Sequence, residues 1–98
     1  MADIPVIEPA GGRLHVRGPV TLATVQGLLD QGHQVLAGTG MRVDLSGVNE
    51  ADSSAVALML AWTREAAARG IPITFENLPQ SVRTLIDLYD VGELLPCV

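Results

Sequence analysis

Residues 41–70 read MRVDLSGVNEADSSAVALMLAWTREAAARG, and their pattern changes twice. Met41, Val43 and Leu45 alternate with Arg42 and Asp44, the period of two expected of a strand with one buried face. A polar loop, SGVNEAD, comes next. From Ser53 to about Arg69 the residues predict a helix, because Asp52 and the serines supply start signals and Gly70 stands just past the end. Inside it, Ala55 to Trp62 run without one polar side chain.

Working outward, IPVIEPAGGRLHVRG holds two extended segments around Ala10-Gly11-Gly12, where paired glycines permit the positive φ of a hairpin turn. In PVTLATVQGLLDQGHQVLAGTG, Leu22, Val25, Leu28, Leu29, Val35 and Leu36 recur at helical spacing. That predicts a first helix, interrupted near Gly32 and closed by Gly38-Thr39-Gly40. Downstream, IPITF reads as a strand, and Val82, Leu85, Ile86 and Tyr89 form the i, i+3, i+4, i+7 set of an amphipathic helix, with GELL adding a turn. Strands alternating with helices predict an α/β domain with a largely parallel sheet, or an α+β one if the first hairpin dominates.

Size and charge remove many functions. The 98 residues suffice for one domain with one core, so residues 1–98 are expected to form a single domain. The composition, 48% hydrophobic with 3% aromatic, predicts a core of aliphatic residues and alanine. The formal charge is −5, and the basic residues, all arginines at 13, 17, 42, 64, 69 and 83, form no cluster. Nucleic acid and direct insertion into an acidic membrane are therefore not expected. Cys97, the lone cysteine, cannot form an intramolecular disulfide, which favours a reducing compartment. MADIPVIEPAGG lacks the apolar run of a signal peptide and no later stretch is long enough to span a membrane, so the expected location is the cytoplasm.

Two features of the opening stretch carry functional weight. Asp52, Ser53 and Ser54 occupy the turn into the helix, where several backbone N–H groups lack internal partners. One reading is capping alone, contributing about 1 kcal/mol. In the other, one serine caps while the other is a regulated hydroxyl, whose phosphorylation would add about −1.5 to −2 of charge at the helix start beside Asp52. The second feature is the helix surface. With the inward face centred on Val56, Met59, Leu60, Thr63 and Ala67, the opposite side receives Ser54, Leu58, Ala61, Glu65 and, at its margin, Trp62. Leu58 and Trp62 then either lie under a neighbouring helix of the same domain or form a docking patch. Burying one Trp yields roughly 5 kcal/mol gross, against an association cost of about 4 to 15, so a patch would need several residues.

At these residues the chain resembles a known family. MRVDLSGVNEADSSAVALMLAWTREAAARG, followed by IPITFENLPQSVRTLIDLYDVGELLP, is similar to the STAS domain of bacterial anti-sigma-factor antagonists and of the cytoplasmic tail of sulfate transporters, from about Gly12 to Pro96. The resemblance implies a small mixed β-sheet with helices packed on one side. It also implies that Ser53 matches the antagonists' hydroxyl, which a partner kinase phosphorylates while doubling as the anti-sigma factor. Stand-alone length and the ending LIDLYDVGELLP are most similar to the MlaB branch, the STAS subunit of the ABC transporter that maintains outer-membrane lipid asymmetry. That branch implies a non-catalytic subunit binding the transporter's ATPase and supporting its activity, with contacts at Asp52, Ser53, Ser54, Leu58, Ala61 and Trp62. Attachment to the inner membrane would then run only through the transporter complex. The alternative it implies is an anti-sigma-factor antagonist switched by phosphorylation of Ser53.

Other chemistry finds no foothold. His15 and His33 have no cysteine or carboxylate at ligand spacing, so no metal is expected. Asp52 and Ser53 lack an adjacent histidine base, and Ala37-Gly38-Thr39-Gly40 is too short for a phosphate loop. No cofactor and no enzymatic activity are expected.

Overall fold

The computed structural model describes residues 4–35 and 41–98. The first extended segments form β1 (Val6–Ala10) and β2 (Arg13–Val20), paired antiparallel from Val6–Arg17 to Ala10–Arg13. Gly11 and Gly12 turn the chain between them with φ of 56° and 82°, a left-handed pair that residues with a Cβ rarely adopt. Helix α1 (Val25–Val35), strand β3 (Met41–Ala51), helix α2 (Ser53–Ala68), strand β4 (Ile73–Glu76) and helix α3 (Gln80–Tyr89) follow, with a short 3₁₀ turn at Gly92–Leu94. The strands lie in the order β1-β2-β3-β4, and both β2–β3 and β3–β4 are parallel. The expected α/β class and mixed sheet are what the chain forms.

Three sequence expectations change. Ser46 to Ala51 belong to β3 and are not a loop: irregular parallel pairing continues through Gly47–Arg17, Val48–Gly18, Glu50–Pro19 and Ala51–Val20. Tertiary pairing overrides the polar, glycine-containing composition there. Helix α1 runs unbroken through Gly32, which is buried. The predicted closure at Gly38-Thr39-Gly40 lies outside the described residues.

The third difference concerns α2. Its buried residues are Ala55, Val56, Leu58, Met59, Trp62 and Ala66, and both Leu58 and Trp62 are only 1% exposed. The core-facing arc is thus rotated by about 100°, one residue's worth of helical turn, from the expected arc. The cause is a second packing surface. Besides covering the sheet, α2 packs on α1, where a Cβ placed on Gly32 would fall within 2.8 Å of Nε1, Cε2 and Cζ2 of the Trp62 indole. Trp62 is flattened against the backbone of its neighbour, the within-domain alternative to a docking role. Its Nε1 has no hydrogen-bond partner, at a cost of order 1–3 kcal/mol that burial of the ring offsets.

All three helices contribute to one core with Leu14, Val16, Val43, Leu45 and Phe75 of the sheet. Near their C-terminal ends, α1 and α2 are tied by Glu65, which meets His33 and Arg69, while Arg69 donates to the His33 carbonyl at 3.0 Å. The sheet's other face is polar. Arg42 and Arg13 both pair with Glu76, at 2.7 and 3.3 Å, Arg17 meets Glu8 at 3.5 Å, and His15 lies 3.4 Å from the buried Asp44. At Asp44 burial pushes the carboxyl upward, but hydrogen bonds from Ser46 and Asn77 and the charge of His15 outweigh it and hold the group below its ordinary value.

Gly32→Ala is expected to destabilise the domain by about 1–3 kcal/mol through overpacking against Trp62. Gly27→Ala, on an open part of the same helix with nothing near its added methyl, is expected to stabilise it by up to about 1 kcal/mol. Urea unfolding of both variants checks this, and equal effects would show that the Gly32–Trp62 contact is not close packing.

Candidate functional site

The start of α2 is built around one carboxylate. Asp52 is extended, with φ −123° and ψ −167°, and its Oδ1 accepts from the Ser54 N–H at 2.8 Å, capping the helix. Its Oδ2 accepts from the Leu22 N–H at 3.0 Å, and its own N–H donates to the Val20 carbonyl at 3.3 Å. Asp52 therefore joins the helix start to the loop leaving β2, two segments 30 residues apart. These bonds, that from Leu22 first and then that from Ser54, hold its carboxyl below the ordinary value. Both oxygens are engaged by backbone, so Asp52 acts here as a positioning group.

Capping by Asp52 leaves the serines free of that task. Ser53 is the first helical residue and is exposed, while Ser54 is half-buried and its hydroxyl also hydrogen-bonds Asp52. Of the residues predicted to form one surface, the structure brings Asp52, Ser53 and Ser54 together and leaves Ala61 partly exposed a little over two turns along. Leu58 and Trp62 are corrected: they face inward and cannot touch a partner of the folded domain. The outward arc of α2 runs through Ser53, Ala57, Leu60, Ala61 and Arg64 to Ala67 and Ala68, so Ala67, expected inward, is exposed.

Residues that sequence reasoning missed complete this face. Ser53, Val56, Ala57 and Leu60 line one wall of an open groove of about 510 Å³, and Tyr89 and Val91, at the end of α3, line the other. Tyr89 is half exposed, and Leu22, whose backbone Asp52 holds, is 80% exposed. Helical spacing alone assigns Tyr89 to α3's buried stripe. The helix ends at Asp90, left-handed at φ 53°, and there the chain leaves its axis beside α2. No cluster of three or more metal-ligating side chains exists among the described residues, and none of their helices is long and apolar enough to cross a membrane.

A mixed sheet covered on one face by three helices, with an exposed serine opening the central helix beside an apolar groove, defines a regulatory, protein-binding type of domain. A family model described as "Mlab, STAS domain" matches residues 6–96, and the chain belongs to the STAS domain family. The fold is shared with the anti-sigma factor antagonist SpoIIAA in its unphosphorylated form (TM-score 0.68, 18% identity, covering 96% of this chain and 86% of that one). A putative anti-sigma factor antagonist from Thermotoga maritima is similar at TM-score 0.68 and 10% identity, over 95% of this chain and 84% of that one. Murine solute carrier 26 family member A9, an anion transporter, is similar at TM-score 0.64 and 15% identity, over 92% of this chain and 16% of that one. No curated sequence relative matches the chain. The family comprises generally non-enzymatic domains that act on protein partners.

Asp52→Ala is expected to cost about 0.5–2 kcal/mol through loss of the cap and to loosen the Leu22 loop. Because the folded-state carboxyl titrates below its unfolded value, its contribution is complete above the unfolded value, 3.8, and disappears as pH falls through the lower folded one. Asp52→Asn should accordingly flatten that part of the acid-side decline in stability, measured by urea unfolding at a series of pH values.

Proposed function

We propose that the chain is a non-catalytic subunit whose α2–α3 face docks on the ATPase of a phospholipid-transporting ABC transporter and supports its activity. The observation that carries this reading is the apolar groove beside Ser53, formed by Ala57, Leu60, Tyr89 and Val91, in a chain whose family model bears the MlaB description over 6–96. An uncovered face of this kind on an otherwise well-buried helix is the usual mark of a protein-binding surface. Ser53, Ser54 and Ala61 remain its proposed contacts, with Asp52 shaping it from behind and Leu58 and Trp62 supporting it from the core. The local chemistry also argues against turnover: the acid next to Ser53 is bound to two backbone N–H groups, while His15 and His33 lie on β2 and on the last turn of α1, so neither histidine of the described residues is placed on the α2 start to serve the hydroxyl as a base. Attachment to the inner membrane follows from the transporter and needs no anchor within this chain.

A second reading draws on the exposure of Ser53 at the first position of α2: the hydroxyl is open to a kinase, and the structures similar in fold include SpoIIAA in its phosphorylated form. In that reading the chain is an anti-sigma-factor antagonist, and phosphorylation of Ser53 places a double negative charge next to Asp52 and releases the partner.

Co-expression with the transporter ATPase should yield a complex that Ala57→Glu weakens by more than about tenfold, since a charge would be buried unpaired in the interface. Ala57 is exposed, so the variant's own unfolding free energy should change by less than about 0.5 kcal/mol. Survival of the complex in this variant removes the docking face. Incubation with a cognate anti-sigma kinase and ATP tests the second reading: a gain of one phosphate, lost in Ser53→Ala, would support it.

A further inference from the structure

The net charge of the chain is unevenly distributed over the fold. On the open face of the sheet, Arg13, Arg17 and Arg42 stand against Glu8, Asp44 and Glu76, three of each sign, with close pairs linking most of them. That face is neutral. The helices, their caps and the turns joining them carry six carboxylates (Asp30, Asp52, Glu65, Asp87, Asp90 and Glu93) against Arg64, Arg69 and Arg83, a difference of −3 out of the chain's −5, with Glu50 near the end of β3 and Asp3 near the N-terminus supplying the remainder. The exposed apolar residues Leu22, Leu88, Tyr89 and Leu94 lie on this same side. Asp90 sits between the two groove residues Tyr89 and Val91, and Glu93 follows in the 3₁₀ turn. Both stand past the C-terminal end of α3, whose helix dipole adds further negative potential.

Resting on the docking reading above, we infer that the groove between α2 and α3 takes an apolar segment of a protein partner flanked by lysine or arginine, with the apolar side chains between Ala57, Leu60 and Tyr89 and the cation over Asp90 and Glu93. Charge complementarity selects this occupant. A second copy of the chain would set one acidic face against another, and an anionic bilayer would be repelled by the same carboxylates. Because the opposite face is neutral, long-range attraction orients a basic partner toward the helices before contact.

The test uses the isotopically labelled chain and two synthetic amphipathic helical peptides with the same leucine stripe, one rimmed with lysine and one with glutamate. The lysine-rimmed peptide is expected to shift the amide resonances of Ser53, Ala57, Leu60 and Tyr89, and its affinity to fall about tenfold between about 50 mM and about 500 mM salt. Asp90→Asn, which keeps a residue tolerant of the left-handed conformation, combined with Glu93→Lys should weaken binding about tenfold. Glu8→Lys makes the same charge change as Glu93→Lys on the neutral face and should leave binding within about twofold. Equal shifts with both peptides, no shift with either, or shifts confined to the sheet face overturn the inference, as do self-association through this face or binding of the chain to phosphatidylglycerol vesicles. Measured with the transporter ATPase, a complex indifferent to salt and to the Asp90/Glu93 variant sinks this inference while leaving the transporter reading intact. Charge-selective peptide binding by a chain that ignores the ATPase sinks the transporter reading alone.

Discussion

The contact between the Trp62 indole and the backbone of Gly32 sets the rotation of α2, and the make-up of its exposed face follows from it. Only a residue without a Cβ allows the ring to lie so close to α1. With Trp62 turned toward α1, Leu58 and Met59 point into the core, and Ser53, Ala57, Leu60 and Arg64 turn to solvent. A helix rotated by one residue would have presented Leu58 and Trp62 instead, and would have buried a different set against the sheet. The unpaired indole N–H is the cost of this arrangement; several buried aliphatic neighbours of the ring offset it.

Asp52 completes the site by a different kind of interaction. It spends its two oxygens on backbone N–H groups from two distant segments, so the helix start, the β2–α1 loop and the exposed Leu22 form one unit. The consequence for Ser53 is indirect. Because the cap is the preceding residue, the serine hydroxyl is not drawn back to the helix N-terminus as a cap and stands at the surface. A phosphoryl group there would meet the helix dipole favourably and the Asp52 carboxylate unfavourably, a balance suited to altering a contact without unfolding the domain.

The two faces of the sheet divide the remaining work. On one, charged residues neutralise each other across the strands, which blunts a surface that could otherwise aggregate. On the other, the helices shield the core and carry most of the chain's net negative charge, with Asp90 and Glu93 following the groove residue Tyr89. The buried core of Leu14, Val16, Val43, Phe75 and Trp62 and the exposed α2–α3 rim thus share few residues, so the rim can vary without disturbing the packing.

Much of the fold was legible in the chain. The alternation in 41–45, the apolar run entered through Asp52-Ser53-Ser54 and the spacing of Val82 and Ile86 each report local periodicity, which the backbone converts directly into strands and helices. The same residues placed the hydroxyl turn at the head of α2. Periodicity was silent about partners. Residues 46–51 read as a loop because their pairing with β2 involves a strand remote in sequence, and local periodicity places Leu58 and Trp62 on the wrong side of α2 because a helix apolar nearly all round offers it no single buried face. The arrival of α1 through Gly32 decided that direction, and the left-handed end of α3 decided that Tyr89 would meet α2. The sequence by itself determined the elements, their order and the chemistry at the start of α2. Which side of that helix is left open to solvent was decided only by tertiary packing, since the choice depends on steric fit between segments that no local pattern records.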